Sequence, residues 1–362
     1  MMRADPEDGP LADKPLATIT RLRWLFAALL LAIAVPALAQ QVPEQQLSTL
    51  EIVRARGFLI CGASDPLPGF AQRSEEGLWS GFDVDFCRAV AAAVFGDANK
   101  VEFRALSGDA RFAQLQTGTI DVIARNASWT IGRDTRYHVM YVGSAFFDGQ
   151  AFMVPQSLNV VSAYELRDIS LCIQDGADEL AALREFSFSN QAQFNEVLYE
   201  DREDLQVAYR AGLCTAVSAP ASWLYAIRRS LPEPGAHRIL PERISKESFG
   251  PVVRAGDDQW FNLVKWTLFT LINAEEYGVT SVNTDALLST RTTPIKRLLG
   301  LDKDFGAPLG LSPTFMREVI TAVGNYGEIF ERNFGSGTGA GVLRGQNALW
   351  TQGGLLFAPP IR

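Results

Sequence analysis

The sequence predicts an α/β protein of two similar lobes, each a doubly wound, mainly parallel sheet, joined by two crossover segments into a hinged clamshell. Three observations carry this expectation. Strand-like and helix-like stretches alternate along most of the chain. The length left after an N-terminal export segment exceeds what one hydrophobic core usually organises. Two stretches, 145–155 and 245–255, interrupt the alternation where the chain would leave one lobe and return to it.

The elements follow in order. Residues 58–61 (FLIC) read as a buried strand that runs into an irregular turn punctuated by Pro66, Pro68 and Gly69. A helix over 81–95 places Phe82, Phe86, Val90 and Val94 on one stripe, with Asp83 and Asp85 in the first turn, where the helix dipole favours them. A strand over 101–104, a short helix carrying Phe112 and Leu115, and a strand over 120–124 complete the first unit. In the second lobe, strands are expected at 169–173, 192–199 and 214–218, and helices at 178–186, 201–211 and 220–229. A helix over 257–275, with Trp260, Val264 and Leu268 on one face, rejoins lobe one. The run GSGTGAG (335–341) has no Gly-Lys-Ser/Thr after it and no strand before it, so it reads as a flexible loop and not a phosphate loop.

Composition narrows the function classes. Residues 21–39 read as a secretory signal: Arg21 and Arg23, an apolar run over 24–35 that is shorter than the about 20 residues a bilayer requires, and Ala37-Leu38-Ala39 before Gln40. The expected products are residues 1–39 as extension and signal, cleaved after Ala39, and an exported periplasmic chain from residue 40. The net charge of −8, without basic runs, argues against nucleic acid. Four cysteines in an exported chain point to disulfides, with free buried thiols as the alternative. Of three pairings, Cys61–Cys87 and Cys172–Cys214 each fall within one expected lobe. With only two histidines and no CxxC spacing, no metal site is expected, and the reading requires no cofactor. The domain layout is then 40–150 for the first part of lobe one, 151–250 for lobe two, and 251–362 for the return plus a C-terminal extension.

The stretch 107–137 (SGDARFAQLQTGTIDVIARNASWTIGRDTRY) gathers the candidate ligand chemistry. After its strand, Asn126, Ser128 and Thr130 alternate with Ala127 and Trp129, and Arg133 follows. Hydroxyls and backbone N–H groups beside a planar two-pronged guanidinium suit a carboxylate. Spacing alone leaves open a surface pairing of Arg133 with Asp134 or Asp109. This segment resembles the ligand-anchoring segment of bacterial periplasmic amino-acid-binding proteins, in particular the general L-amino-acid-binding subfamily that feeds ABC importers. Further resemblance lies in GLWSGFDVDFCRAVAAAVFG (77–96), FFDGQAFMV (146–154), SKESFGPVVRAGDDQWFNLVKWTL (245–268) and NALWTQGGLLFAPPIR (347–362). It implies a periplasmic binding protein fold and a monomer that hands a small ligand to an ABC permease. It also implies that Ser128 and Arg133 hold the ligand's α-carboxylate, and Thr130 and Asn126 of the same turn are expected to join them. Ser64, Asp65, Leu67 and Phe70, on a turn at a strand's carboxyl end, would shape the side-chain end of the pocket.

The chain departs from that family where an acid normally holds the ligand's ammonium: the matching position is Pro220. The facing loop, normally Gly-Thr-Thr-Thr, reads Asp175-Gly176-Ala177-Asp178-Glu179. Two readings stay open. Asp175 or Asp178 supplies the negative charge from the opposite wall, or the ligand is a carboxylate without an ammonium group. The same acids would also simply suit the start of a helix. The competing class is an enzyme: exported arogenate or prephenate dehydratases resemble the same fold and use a glutamate at the place of Glu179. A receptor that signals to a sensor is a third class.

Overall fold

The computed structural model describes residues 47–64, 66–106, 110–175, 178–338 and 341–362. The expected signal segment and Asp65 lie outside the described residues, as do Asp109 and part of the 335–341 loop.

The first sheet is built on β1 (Leu59–Ala63), buried along its whole length, as its run of apolar and small side chains requires of a strand covered on both faces. A small hairpin of β2 (Gln72–Arg73) and β3 (Trp79–Ser80) follows, then β4 (Val101–Ala105), β5 (Val122–Ile123) and β6 (Val139–Tyr141). The outgoing crossover carries β7 (Phe146–Asp148) and passes at Gly149 into β8 (Gln150–Pro155) of a second sheet. That sheet continues with β9 (Ile169–Gln174), β10 (Phe194–Tyr199), β11 (Ala216–Pro220) and β12 (His237–Ile239). The return crossover carries β13 (Glu247–Phe249) and re-enters the first sheet as β14 (Val252–Arg254). The strand orders are β4-β1-β5-β14-β6 and β10-β9-β11-β8-β12. Within each sheet one strand opposes the rest: β14 in the first and β8 in the second. The two-lobed, mainly parallel α/β architecture is the one expected, with one addition. The stretches read as crossovers also supply the reversed strand of each sheet. Their pattern was hidden because β14 is three residues long and follows Gly250-Pro251.

Each sheet has its own core on both faces. On the first, the helix Phe82–Phe95 buries Phe82, Phe86, Val90 and also Asp83 and Asp85. Its start is fixed by the loop before it: Phe82 N–H donates to Gly69 O (2.9 Å) and Asp83 N–H to Phe70 O (3.0 Å). Gly81 is obligatory there, since φ is +134° and a Cβ would lie 2.0 Å from Phe70 O. The disulfides are Cys61–Cys87, tying β1 to this helix, and Cys172–Cys214, tying β9 to the approach to β11. The helix Asp258–Glu276 closes the same core, and its Trp260 indole donates to Asp121 O (3.0 Å).

The C-terminal extension adds the helices Thr293–Leu298, Phe315–Val323 and Tyr326–Phe334 to that core. It also grips the outgoing crossover. The Asn347 amide accepts from Phe147 N–H (2.7 Å) and donates to Phe147 O (2.8 Å), acting as one rung of a sheet, while Tyr326 Oη donates to Ala145 O (2.9 Å). The two crossovers pair with each other, β7 antiparallel to β13. Ile244 N–H donates to Gln150 O (2.9 Å), and Gln150 N–H to Ser245 Oγ (3.1 Å). The hinge is therefore a hydrogen-bonded ribbon.

Candidate functional site

A cleft of about 330 Å³ opens where the two lobes meet the hinge. Lobe one contributes Asn126, Ser128 and Arg133; the second sheet and its helices contribute Gln150, Gln174, Asp178, Glu179, Arg202 and Pro220; the return crossover contributes Ser245, Glu247 and Phe249.

The lobe-one wall is the turn after β5. Asn126 sits at φ +25°, and its N–H donates to the buried carboxylate of Asp83 (3.0 Å). The turn then runs along β13: Ser128 bridges Phe249, Trp129 N–H donates to Ser248 O (2.8 Å) and Gly250 N–H to Ala127 O (3.2 Å). Thr130 caps the helix Ile131–Arg136, its hydroxyl accepting from Arg133 N–H (3.3 Å). Arg133 Nη1 donates to Ser128 O (3.1 Å), which also accepts from Tyr141 Oη (2.8 Å). The guanidinium is thus folded over the turn that carries Ser128, with one of its donors on that turn's backbone.

The opposite wall is more strongly paired. Arg202 donates to Glu179 Oε1 (2.5 Å) and to Gln174 Oε1 (3.1 Å), and lies 5.7 Å from the centre of the Trp223 ring. Gln174 in turn donates to Glu200 O (3.0 Å). Asp178 is exposed at the first residue of the helix Asp178–Asn190.

Charge couples the walls. Burial raises the Glu247 carboxyl above the usual carboxylate range; the Ser128 side chain against it and the Arg133 charge pull it down, while Glu179 and Asp178 push it further up. Burial lowers the Arg125 guanidinium, Asp83 raises it, and Arg133 and Arg202 lower it. Burial pushes Asp83 up to about 7, against the Asn126 N–H bond and the Arg125 charge.

The remaining sequence candidates lie elsewhere. Asp175 is exposed at the end of β9, its N–H bonded to Tyr199 O (2.8 Å), and it does not line the cleft. Phe70 is 1 % exposed, its ring 5.0 Å from Phe146, 5.0 Å from Phe334 and 6.0 Å from Phe249, so it supports the hinge from beneath. Leu67 is half-buried and packs against the cores of both lobes. Ser64 is buried at the end of β1 and its hydroxyl has no partner. Conversely, Gln150, Gln174, Arg202, Ser245 and Glu247 belong to the cleft and were not singled out from the sequence. Gln150 and Glu247 lay within the quoted crossover motifs, but nothing in their spacing distinguishes a crossover residue from a ligand-facing one.

A second hollow, about 460 Å³, borders Phe146–Asp148 and tail residues 342–347. Its charged groups are engaged internally: Asp148 accepts from Ser222 and Gly149, and Arg344 pairs with Glu275. Among the described residues no cluster of His, Cys, Asp and Glu is arranged to hold a metal, and no helix is long and apolar enough to cross a membrane.

Comparison with known proteins places this geometry. The profile of the bacterial extracellular solute-binding proteins, family 3, matches residues 59–281. The chain is 46% identical over 333 residues to the general L-amino acid-binding periplasmic protein AapJ of Rhizobium johnstonii, covering 91% of this chain and 98% of that protein. It is 46% identical to the glutamate/glutamine/aspartate/asparagine-binding protein BztA of Rhodobacter capsulatus, covering 87% of this chain and 94% of that one. Among solved structures, an ABC transporter periplasmic binding protein from Brucella ovis with glutathione bound superposes with a TM-score of 0.81 at 44% identity, covering 87% of this chain and all of that one. Two mixed sheets joined by a paired hinge agree with the fold of these relatives, and the chain belongs to family 3 of the bacterial extracellular solute-binding proteins.

Proposed function

We propose that this chain is the periplasmic receptor of an ABC importer, closing its lobes on a small amino-acid-like ligand and delivering it to a permease as a monomer. Lobe one comprises 40–150 and 251–362, lobe two 151–250, and residues 1–39 are removed on export. The observation that carries the reading is the interlobe cleft, with Arg133 and Ser128 on one wall and a second arginine, Arg202, on the other. Arg133, Ser128 and Asn126 receive the α-carboxylate. Arg202, braced by Gln174, Glu179 and Trp223, suits a second carboxylate or amide, which favours acidic and amide amino acids or a γ-glutamyl peptide. The ligands in the names of the related proteins are of these kinds. Asp178, exposed on the cleft wall, contributes through its charge on Glu247. Glu179 is committed to Arg202, which argues against a dehydratase acid and for a binder without catalysis.

The test is a thermal-shift screen of protein stripped of solute by unfolding and refolding, against the common L-amino acids, reduced glutathione and their deaminated analogues. A ligand present at 100 times its Kd adds about 2.7 kcal/mol. Stabilisation by glutamate, glutamine, aspartate, asparagine or glutathione is expected; no response across the panel overturns the proposal.

A further inference from the structure

We infer that Glu247 and the Oε1 atom of Gln150, one from each hinge crossover, form the amine subsite of the cleft. Their ligand group is the ammonium of a molecule whose carboxylate lies on Arg133 and Ser128. The inference rests on the receptor reading above and deepens it.

The argument begins with strand geometry. Alternate residues of a strand face opposite sides, and Phe249 and Glu247 both line the cleft, while Ser248 between them turns away to Ser144 (Oγ–Oγ 2.6 Å). The Ser128–Phe249 bridge then sets Glu247 alongside the turn that carries the carboxylate anchor. Among the described residues Glu247 makes no ion pair: the half-buried carboxylate has the Ser128 side chain against it and feels the Arg133 charge, but Glu179 and Asp178 repel it, so a cation in the cleft would be favoured.

Gln150 supplies the second half. It is 1 % exposed, lines the cleft, and its Oε1 has no donor within reach. Its orientation is determined by its neighbour. Ser218 donates its single hydroxyl proton to Ala151 O (3.0 Å), so Ser218 Oγ can only accept, and Gln150 must present its NH₂ to it (2.8 Å). The amide oxygen therefore faces the other way. Gln150 also pairs with Pro220, which offers neither a charge nor an N–H. The ribbon bonds from Gln150 to Ile244 and Ser245 bring it beside the segment that carries Glu247. A carboxylate without an ion pair, on the segment bonded to Gln150, together with an amide oxygen that has no donor, matches a group with positive charge and several donors and nothing to accept, which is an ammonium. The other acids are less suited: Glu179 is held by Arg202, and Asp178 is exposed.

The test uses calorimetric titration of the stripped protein with the amino acid or peptide that binds tightest and with its deaminated analogue, for example L-glutamate and glutarate. Glu247→Gln should weaken the amino compound about 10- to 100-fold and leave the analogue within a few-fold, so that the preference for the amine collapses. Glu247→Asp should recover part of it. Gln150→Met, accepted only if its melting temperature stays near wild type, should shift the ratio in the same direction. An unchanged ratio in a folded Glu247→Gln protein overturns the subsite while leaving the receptor reading intact. Wild-type protein that binds neither compound of any pair overturns both.

Discussion

Asp83 offers the sharpest energetic test, because its burial and its bond to the Asn126 turn pull in opposite directions. It lies in the first turn of a core helix, where burial raises its carboxyl from 3.8 to about 7, while the Asn126 N–H and the Arg125 charge favour the ionised form without prevailing. The folded state thus holds its proton more tightly than the unfolded chain. The cost of ionising Asp83 is absent below about pH 4, grows as the pH rises, and is complete above about pH 7. Holding the carboxyl at about 7 instead of 3.8 corresponds to about 4 kcal/mol as an upper bound. Asp83→Asn removes that cost and keeps an oxygen for Asn126 N–H. Urea melts of both proteins from pH 4 to 8 should show the variant about 2–4 kcal/mol more stable at pH 8, with the advantage vanishing near pH 4. Other titrating groups, including His237, are common to both proteins and cancel in the difference. A variant less stable than wild type at pH 8 would refute the reasoning, for it would mean that the Asp83–Arg125 attraction outweighs burial.

Three further outcomes are expected. Arg133→Ala should weaken carboxylate ligands at least tenfold by calorimetry without lowering the melting temperature appreciably, because a charge-assisted contact of about 1.5–3 kcal/mol is lost from an exposed helix of lobe one. Replacing Cys172 and Cys214 by serine should cost about 2–4 kcal/mol in chemical denaturation, since the bridge closes a loop of 42 residues in the unfolded chain. Gly81→Ala should destabilise by at least about 2 kcal/mol, as the new Cβ meets Phe70 O and must displace the loop that caps the helix Phe82–Phe95.

The architecture would let two separately packed lobes turn about one hinge. Each sheet is covered on both faces by its own core, and the lobes are joined by short paired strands whose partners are largely one another. Beneath them, Phe70, Phe146, Phe249 and Phe334 form one aromatic contact set, and Asn347 holds Phe147 from the tail. Closure of such a hinge would bring Arg202 and Glu179 toward Arg133 around a ligand, the form a permease can distinguish. The C-terminal extension therefore does two jobs, completing the lobe-one core and anchoring one crossover.

The sequence by itself determined the alternation of strands and helices, the export segment as an expectation, the pairing of cysteines by lobe, and the turn bearing Ser128 and Arg133. These are local signals: periodicity, capping acids, glycine stops and a guanidinium beside hydroxyls sit within a few residues of one another. Only the tertiary structure decided which residues share the cleft. Gln150 and Glu247 are nearly a hundred residues apart, and each is unremarkable in its own segment. They become neighbours because the two crossovers hydrogen-bond into one ribbon. Phe70 shows the converse. Its place on a loop at a strand's end suggested a pocket, but a phenyl ring gains most by packing edge to face among other rings, and the core beneath the hinge offered it four. Burial and partnership over long sequence distances are properties of the packed chain, so no window of sequence contains them.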